Sequence, residues 1–222
     1  MQLTAEISQK IEFGRFKEIK QLVENALNQG ISAEDILNYG LLDGMEKIGE
    51  KFKNNRVYIP EVMMAARAMQ IGIDTLKPFF KENSQRTRGR ACIGTVKGDQ
   101  HDIGKNLVKI MMEGHGIEVV DLGTNVTASA FVEAARNQDC SLICCSALLT
   151  TTMPEMKNVV DLCITEGIRD RVKIMVGGAP LNDEFCKKIG ADAYAPDAAS
   201  AAETALKLLC ELQSMATDNE AI

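Results

Sequence analysis

Between residues 91 and 213 the sequence alternates short apolar runs with amphipathic patterns of helical period. A short apolar run bounded by turn residues is typical of a buried strand, whereas apolar residues that recur at helical spacing are typical of a helix. The predicted strands are Ala91–Val96, Ile117–Leu122, Leu142–Ser146, Lys173–Val176 and Ala193–Ala195. The predicted helices are Ile103–Glu113, Ala128–Asn137, Pro154–Glu166, Asp183–Ile189 and Ala199–Gln213. A strand–helix alternation of this kind predicts an α/β fold with a doubly wound parallel sheet and right-handed crossovers.

The first 80 or so residues follow helical spacing throughout. One apolar stripe ends just before Gly30, and glycine commonly terminates helices. Ser32 is a start signal for a second helix, predicted over Ile36–Phe52. A third helix is predicted over Glu61–Lys81, and Pro78 is expected to kink it or end it. Because the connections are short, these segments predict a small antiparallel helical bundle.

The segment Glu82–Arg90 differs in composition from both sides, since it is polar, lacks apolar residues and contains three arginines and a glycine. Such composition is typical of a solvated linker between domains. The predicted organisation is therefore a helical domain at residues 1–82, a linker at 83–90 and an α/β domain at 91–222.

Composition excludes several classes of function. The 222 residues carry a formal net charge of -6, whereas nucleic-acid surfaces are normally basic, so no nucleic-acid partner is expected. No apolar run approaches the length of a membrane span, and the N-terminal residues do not resemble a secretory signal. The seven cysteines form no Cys-x-x-Cys pair, so we expect reduced, buried thiols in a cytoplasmic protein without membrane association.

The candidate chemistry centres on Gly98-Asp99-Gln100-His101-Asp102-Ile103-Gly104, which follows the first predicted strand and leads into a helix. His101 is one of two histidines in the chain. It lies at the carboxyl end of a strand, where open parallel sheets present groups to ligands. The alternative interpretation is a polar loop in which the aspartates only cap the helix that follows.

Three further features follow strands at the same edge of the predicted sheet. The third strand leads into a run of hydroxyl residues from Ser146 to Thr152, the fourth ends in Gly177-Gly178, and the fifth carries Tyr194 before Ala198. Small residues here leave a slot in which the backbone can approach a ligand closely. Each feature alone has a simpler interpretation, because glycines form turns and a threonine before a helix can cap it.

Taken together, the spacing resembles the cobalamin-binding signature of methionine synthase, the carbon-skeleton mutases and the corrinoid methyl carriers. The pattern is Asp-x-His-x-x-Gly, 41 residues, Ser-x-Leu, 28 residues and Gly-Gly, met here by Asp99, His101, Gly104, Ser146, Leu148, Gly177 and Gly178. The layout is most similar to the cobalamin module of methionine synthase and to the corrinoid proteins of the methanol and methylamine methyltransferase systems. The small cobalamin subunits of the mutases lack the helical region.

This resemblance implies an N-terminal four-helix bundle that caps a Rossmann-like (flavodoxin-like) five-stranded parallel sheet domain binding cobalamin. It implies that His101 is the lower axial ligand of cobalt in the base-off/His-on state, in a proton-coupled triad with Asp99 and Thr152. A neutral imidazole suits this role, because its free pKa is about 6.5. The residues implied to bind the cofactor are Tyr58, Gly98, Asp99, Gln100, His101, Asp102, Ile103, Gly104, Ser146, Leu148, Thr150, Thr152, Gly177, Gly178, Tyr194 and Ala198.

In methionine synthase a capping aromatic residue precedes Leu-Pro, and Tyr58-Ile59-Pro60 occupies the similar place here. The resemblance therefore implies that Tyr58 lies over the upper face of the cofactor. It also implies that Val62, Met63 or Ala65 lies with Tyr58 over that face. The alternative is that Met63, Met64 and Met69 pack the bundle.

The implied function is transport of a methyl group on cobalt, which cycles between Co(I) and methyl-Co(III), in the one-carbon metabolism of methanogenesis or acetogenesis. The implied partners are a substrate:corrinoid methyltransferase (methylamine, methanol, betaine or methoxy-compound type), a methyltransferase acting on coenzyme M or tetrahydrofolate, and a reductive activase. The chain would then be a subunit without turnover of its own. The alternatives are a cobalamin-dependent light sensor or regulator and a flavin-type module, which would leave His101 without a role.

Overall fold

The structure, a computed structural model, describes residues 2–79 and 87–220, with the backbone alone for residues 215–220. Residues 83–86 of the predicted linker lie outside the described residues, whereas residues 87–90 lie within them. The described chain forms two compact units, one helical, within residues 2–79, and one made of Thr87–Glu113 and the residues from Ile117 onward. Among the described helices, none has both the length and the apolar character needed to cross a bilayer.

The helical unit contains four helical rods, the number that the resemblance implies for the bundle. Its segments are α1 (Gln2–Glu12), α2 (Phe16–Asn28), α3 (Ala33–Ile36), a π-helical turn (Leu37–Leu42), α4 (Asp43–Lys53) and α5 (Ile59–Leu76). Segments α3, π turn and α4 form one continuous rod. Its core is built from aliphatic side chains such as Ile7, Ile19, Val23 and Ile48, all of them buried.

The predicted helix Ile36–Phe52 differs from the structure in two ways. The helix begins at Ala33, because the hydroxyl oxygen of Ser32 accepts the backbone N–H of Asp35 at 3.0 Å and caps the first turn. It also contains the π-helical turn, which was not predicted, because apolar spacing over one turn does not distinguish the two helix types. The turn lies against α1, where a Cβ at Gly40 would meet the side chain of Ile7 at 3.0 Å.

Helix α5 begins two residues before the predicted start at Glu61. The carboxylate of Glu61 accepts the backbone N–H of Tyr58 at 2.6 Å, which satisfies a donor at the helix N-terminus. The helix ends at Leu76, and Pro78 lies in the 3-10 turn that follows, as expected of a residue that ends helices. The predicted end at Lys81 lies outside the described residues.

The second unit is a five-stranded, fully parallel sheet with helices between its strands, which confirms the predicted fold class. Its strands are β1 (Arg90–Thr95), β2 (Glu118–Asp121), β3 (Leu142–Ser146), β4 (Lys173–Gly177) and β5 (Ala193–Ala195). Its helices are α6 (Ile103–Gly114), α7 (Ala128–Asn137), α8 (Pro154–Thr165), α9 (Asp183–Ile189) and α10 (Ala198–Glu220). The strand order is β2-β1-β3-β4-β5.

Differences from the predicted bounds are small in this unit, except at the end of α10. The first strand lies one residue earlier than predicted, because Arg90 pairs with Glu118 on β2. Helix α10 continues seven residues beyond the predicted end at Gln213. The polar composition of those residues gives no apolar stripe, so helical periodicity does not reveal them.

Six of the seven cysteines are buried free thiols, and Cys210 on α10 is exposed. The expectation that the thiols are buried is therefore wrong for Cys210. Leu208 and Leu209 are buried, and the next position on a helix is rotated by about 100°. Cys210 consequently faces away from the sheet.

The strand order determines where a site can form. Because β1 lies between β2 and β3, the chain leaves β1 towards one side of the sheet and returns to pair β3 on the other. The carboxyl ends of β1 and β3 therefore flank the topological switch point, where doubly wound sheets bind ligands. The loop of His101 follows β1, and the hydroxyl-rich loop follows β3.

Candidate functional site

The imidazole of His101 is held by its neighbour two residues earlier. Its Nδ1 lies 2.7 Å from Oδ1 of Asp99, and its backbone N–H donates to the same oxygen at 3.1 Å. A turn closed by the side chain of an aspartate in this way is a common way to fix a loop. The His101 side chain is nevertheless 52% exposed, so the ring is oriented but accessible.

The carboxylate of Asp99 is buried, and the loop after β3 supplies donors to its second oxygen. Oδ2 accepts the backbone N–H groups of Leu148 at 2.8 Å and Leu149 at 3.1 Å, and the hydroxyl of Thr152 at 2.9 Å. Burial alone would raise the pKa of Asp99, but the hydrogen bonds from His101, Leu148 and Leu149 outweigh it and hold the pKa well below its usual range. Asp99 is therefore a carboxylate.

An ionised carboxylate has no proton to donate, so Nδ1 of His101 must be the protonated ring nitrogen in the 2.7 Å contact with Asp99. In a neutral imidazole this leaves Nε2 with a free lone pair. Within the described residues Nε2 has no hydrogen-bond partner. The site thus presents one nitrogen ligand in a fixed orientation at the edge of the sheet.

The sequence left two interpretations of Thr152, a residue that caps the next helix or a partner of Asp99, and the structure distinguishes them. Its hydroxyl lies 2.9 Å from Oδ2 of Asp99 and 2.9 Å from the carbonyl oxygen of Leu149. The residue at the N-cap of α8 is Met153, which makes no side-chain capping bond. Thr152 is therefore directed to Asp99 and does not cap the helix.

The glycines at the end of β4 are required by close backbone contacts. A Cβ at Gly178 would lie 1.9 Å from the carbonyl oxygen of Ala147, and its φ of +137° is unfavourable for other residues. A Cβ at Gly177 would lie 3.3 Å from the carbonyl oxygen of Ala195. The ends of β3, β4 and β5 consequently lie close together, with Ser146 paired to Gly177.

A different reason applies to Gly104. A Cβ there would have no atom within 4 Å, so the packing of the chain itself does not require glycine. Nearby, Ile103 is 72% exposed, and Leu148 and Leu149 are exposed as well. Exposed apolar side chains beside an accessible ligand nitrogen are typical of a surface that a bound group covers.

The remaining predicted residues have varied environments. Gly98 has a φ of +83° and donates its N–H to Oδ1 of Asn125 at 2.8 Å. Gln100 accepts a hydrogen bond from Thr124, and Asp102 accepts one from Asn106. Thr150 is exposed on the loop after β3, and Ser146 at the end of β3 is half-buried. Tyr194 packs against the core of the sheet unit, and Ala198 is buried. Tyr58 belongs to the helical unit, where it is 75% exposed.

Sequence reasoning missed the segment after β2, which contains Asn125. Asn125 has a φ of 55°, in the left-handed region, and bonds to the loop of His101 through both its side chain and its backbone. The available signal was the turn sequence Gly123-Thr124-Asn125 at the same edge as His101. Leu149 was missed because it contributes a backbone N–H, which any residue supplies.

Comparison with known proteins agrees with this geometry. Two families described as B12 binding domains match the chain, one over residues 89–206 and the other over residues 3–77. The chain is 42% identical to dimethylamine corrinoid protein 1 of Methanosarcina acetivorans, over 84% of this chain and 88% of that protein.

Solved structures give the same result. A chain of the methanol:cobalamin methyltransferase complex from Methanosarcina barkeri aligns with a TM-score of 0.84 and 29% identity, over 94% of this chain and 80% of that one. A cobalamin-binding protein from Desulfitobacterium hafniense aligns with a TM-score of 0.78 and 28% identity, over 92% and 98%. The identity and coverage extend across both units, and the chain therefore belongs to the B12-binding corrinoid proteins of the methylamine and methanol methyltransferase systems.

Proposed function

We propose that this chain binds its corrinoid with Nε2 of His101 as the lower ligand of cobalt, in the base-off/His-on state, and carries a methyl group between two methyltransferases. The observation that carries the proposal is the arrangement of the ring: Nδ1 is held by buried Asp99 and Nε2 is accessible. Imidazole with a carboxylate on its other nitrogen is a common arrangement for metal-binding histidines. Bound here, a corrinoid supplies a cobalt ion whose upper face accepts and releases the methyl group.

The residues around His101 suit a large, flat, largely apolar group. Gly104 leaves open space where any side chain would protrude, and Ile103, Leu148 and Leu149 expose apolar surface. Such a group would cover this surface and gain the free energy of removing it from water. The same proposal assigns the displaced nucleotide tail of the cofactor to the slot lined by Ser146, Thr150, Gly177 and Gly178. Of these four residues, the two glycines have no side chains and Thr150 is exposed.

The chain's own residues keep a proton at Nδ1 of His101. Asp99 accepts the hydrogen bond of that proton. The Leu148 and Leu149 amides help to hold the pKa of Asp99 low, and the hydroxyl of Thr152 helps to keep the carboxylate in place. A negatively charged partner raises the basicity of an imidazole ligand. We propose that the strength of the lower ligand is set by this chain of hydrogen bonds.

The proposal gives the helical unit the task of covering the reactive face. Tyr58, Ile59, Met63 and Met64 expose apolar surface at the N-terminal end of α5. Methionine is flexible and polarisable, which suits a cover that must open and close. Val62, Ala65 and Met69 on the same helix are buried in the helical unit. Burial is therefore as expected for Met69 as a packing residue, whereas the expectation that Val62 or Ala65 belongs to the cover is wrong.

For the methyl donor, we propose a methylamine-type methyltransferase as the first partner. The support is that relatives at 38% to 42% identity are described as dimethylamine corrinoid proteins, and one at 39% as a trimethylamine corrinoid protein. The second partner is a methyltransferase acting on coenzyme M or tetrahydrofolate, and a reductive activase restores the reduced cofactor. All of these reactions take place in the cytoplasm on this proposal.

The test is anaerobic reconstitution with hydroxocobalamin, followed by desalting and visible spectroscopy. The wild-type chain is expected to retain cofactor with a spectrum of histidine-coordinated cobalt. His101→Ala should change that spectrum, whereas His115→Ala, which removes the chain's other histidine, should not. A folded wild type that retains no cobalamin, or a spectrum unaffected by His101→Ala, would contradict the proposal.

Methyl transfer is tested separately. The loaded chain is first reduced to the Co(I) state with a chemical reductant such as Ti(III) citrate, because a methyl cation must be transferred to Co(I) to give methyl-Co(III). It is then incubated anaerobically with a dimethylamine methyltransferase and dimethylamine, which releases methylamine, and methylation of the cofactor is followed by its spectrum. A trimethylamine or methanol methyltransferase in a parallel reaction distinguishes the donors. Methylation by the methanol enzyme alone would overturn the methylamine assignment and leave the carrier role in place.

A further inference from the structure

The loop of His101 is in contact with a second loop that the proposed function does not use, the segment Gly123–Val126 after β2. We propose that Asn125 in this segment is a positioning residue, which fixes the loop of His101 so that Asp99 and the imidazole keep their relative orientation. The expected effect of Asn125 on cofactor binding rests on the proposed function. Its effect on the His101 loop can be measured in the chain alone.

Asn125 contacts two consecutive residues of the loop with two different groups. Its side-chain Oδ1 accepts the backbone N–H of Gly98 at 2.8 Å. Its backbone N–H donates to the carbonyl oxygen of Asp99 at 2.9 Å. The two bonds hold the peptide groups that precede Gly98 and follow Asp99, so they fix the backbone on both sides of the residue whose carboxylate holds His101.

The backbone conformation of Asn125 explains why asparagine is suited to the position. Its φ of 55° lies in the left-handed region, which is unfavourable for most residues but accessible to asparagine, aspartate and glycine. Glycine has no side-chain acceptor for the N–H of Gly98. Only asparagine and aspartate therefore combine the conformation with the acceptor.

The rest of the segment is attached to the end of β1, so Asn125 has a rigid base. Thr95 donates its backbone N–H to the carbonyl oxygen of Gly123 and accepts the N–H of Val126, both at 2.9 Å. The buried hydroxyl of Thr95 donates to the carbonyl oxygen of His101 at 2.8 Å. The segment and the His101 loop are consequently attached to the same residue of β1.

An ion pair between buried Lys105 and partly exposed Asp121 contacts the other side of the segment. Lys105, whose side chain is 2% exposed, donates to the carboxylate of Asp121 at 2.6 Å, and Asp121 also accepts the N–H of Gly123 at 2.9 Å. Lys105 lies in the first turn of α6, directly after the His101 loop. The carboxylate of Asp121 thus links the start of α6 to the backbone of Gly123.

These contacts divide the support of the site between two neighbours of β1. The loop after β3 donates hydrogen bonds to Oδ2 of the Asp99 carboxylate. Asn125, after β2, bonds instead to the backbone of Gly98 and Asp99. Removing the side chain of Asn125 frees the Gly98 peptide to rotate. The carboxylate would then lose its alignment with Nδ1 of His101.

The test compares Asn125→Gly with Asn125→Asp and Asp139→Gly. Asn125→Gly keeps the left-handed conformation and removes only the acceptor, whereas Asn125→Asp retains an acceptor. Asp139 has a φ of 53° before β3, at the opposite end of that strand, so Asp139→Gly controls for the change of backbone freedom. Measurements on the cofactor-free chain are the hydrogen-exchange rate of the Gly98 amide and the NMR signal of the Nδ1 proton of His101. Hydroxocobalamin affinity is measured in parallel.

We expect Asn125→Gly to speed exchange at Gly98, to broaden or remove the Nδ1 proton signal, and to lower cobalamin affinity by about 10- to 100-fold. Asn125→Asp should restore all three, and Asp139→Gly should match the wild type. An Asn125→Gly variant with the wild-type ring signal would overturn the proposal. If the wild type binds no cobalamin, the proposed function fails, and the ring signal alone decides the positioning role, its loss supporting it and its persistence overturning it.

Discussion

The hydroxyl oxygen of Thr152 lies 2.9 Å from Oδ2 of Asp99, although 53 residues separate them in the chain. The contact exists because β1 and β3 are neighbours in the sheet, so the loops after these strands meet. A side chain on one loop therefore helps to hold in place a carboxylate on the other. The carboxylate in turn orients the imidazole of His101 through its contact with Nδ1.

Replacing the hydroxyl of Thr152 tests this contact directly. Thr152→Ala removes one donor from a buried carboxylate and is expected to lower the free energy of unfolding by about 1.5–3 kcal/mol. It should lower corrinoid affinity by about 10- to 100-fold, because the support of the histidine is weakened. Thr152→Ser keeps the hydroxyl and should stay close to the wild type in both. Equal losses in the alanine and serine variants would show that the methyl group matters and the hydroxyl does not.

The depressed pKa of Asp99 predicts a specific pH dependence of stability. A carboxyl group whose pKa is lower in the folded chain stabilises it above the ordinary pKa of 3.8, and this stabilisation is lost as the pH falls towards the folded value. Denaturant unfolding of the cofactor-free chain should therefore show a smaller decrease for Asp99→Asn than for the wild type between about pH 5 and pH 3.

At neutral pH, where the carboxylate of Asp99 is ionised and hydrogen-bonded, Asp99→Asn should be less stable than the wild type by about 1.5–3 kcal/mol. Asp74→Asn is a control, because the pKa of exposed Asp74 is also lowered, by a hydrogen bond from Lys77. Its effect on stability should be smaller, since exposed ion pairs contribute little. Parallel pH profiles for the wild type and Asp99→Asn would contradict an ionised Asp99.

The two kinds of glycine at the site predict opposite outcomes for alanine substitution. Gly178→Ala places a Cβ 1.9 Å from a carbonyl oxygen in an unfavourable φ region, so it should destabilise the chain by at least about 2 kcal/mol. Gly104→Ala meets no atom within 4 Å and lies in α6, where alanine is the better helix former. It should leave the thermal midpoint unchanged or raise it.

Cobalamin binding separates the two further. Gly104→Ala adds a methyl group to the surface assigned to the cofactor, and overpacking typically costs about 1–3 kcal/mol, or roughly a 5- to 150-fold loss of affinity. The informative result is a stable chain that binds poorly. A Gly104→Ala variant with wild-type affinity would place the cofactor elsewhere on the surface.

Thiol reactivity tests the environment of the cysteines. Cys210 is exposed, whereas the other six thiols are buried, and burial raises the pKa of Cys163 to about 11. An aromatic disulfide reagent should modify one thiol of the native chain quickly and the others only on unfolding. Cys210→Ser should abolish the fast phase. A fast phase that persists in this variant would indicate that a second thiol becomes accessible in the native state.

The sequence predicted much of the α/β unit, because each strand is an apolar run between turn residues and each helix has an apolar face. The contact of Asp99 with His101 and Thr152 was predicted only from the resemblance to known proteins, since spacing alone does not show that β1 and β3 are neighbours. Asn125 escaped prediction because its role depends on a backbone conformation and on a contact between two loops. The π-helical turn and the exposure of Cys210 depend on packing, which periodicity does not resolve.

The division of the site between two strands has a consequence for how the molecule is made. Thr152 lies 53 residues after Asp99, so a nascent chain carries the His101–Asp99 pair before it carries the donors of the loop after β3. Pairing of β1 with β3 brings those donors to the carboxylate. The fully supported carboxylate is therefore a product of tertiary folding and requires a chain synthesised at least as far as Thr152.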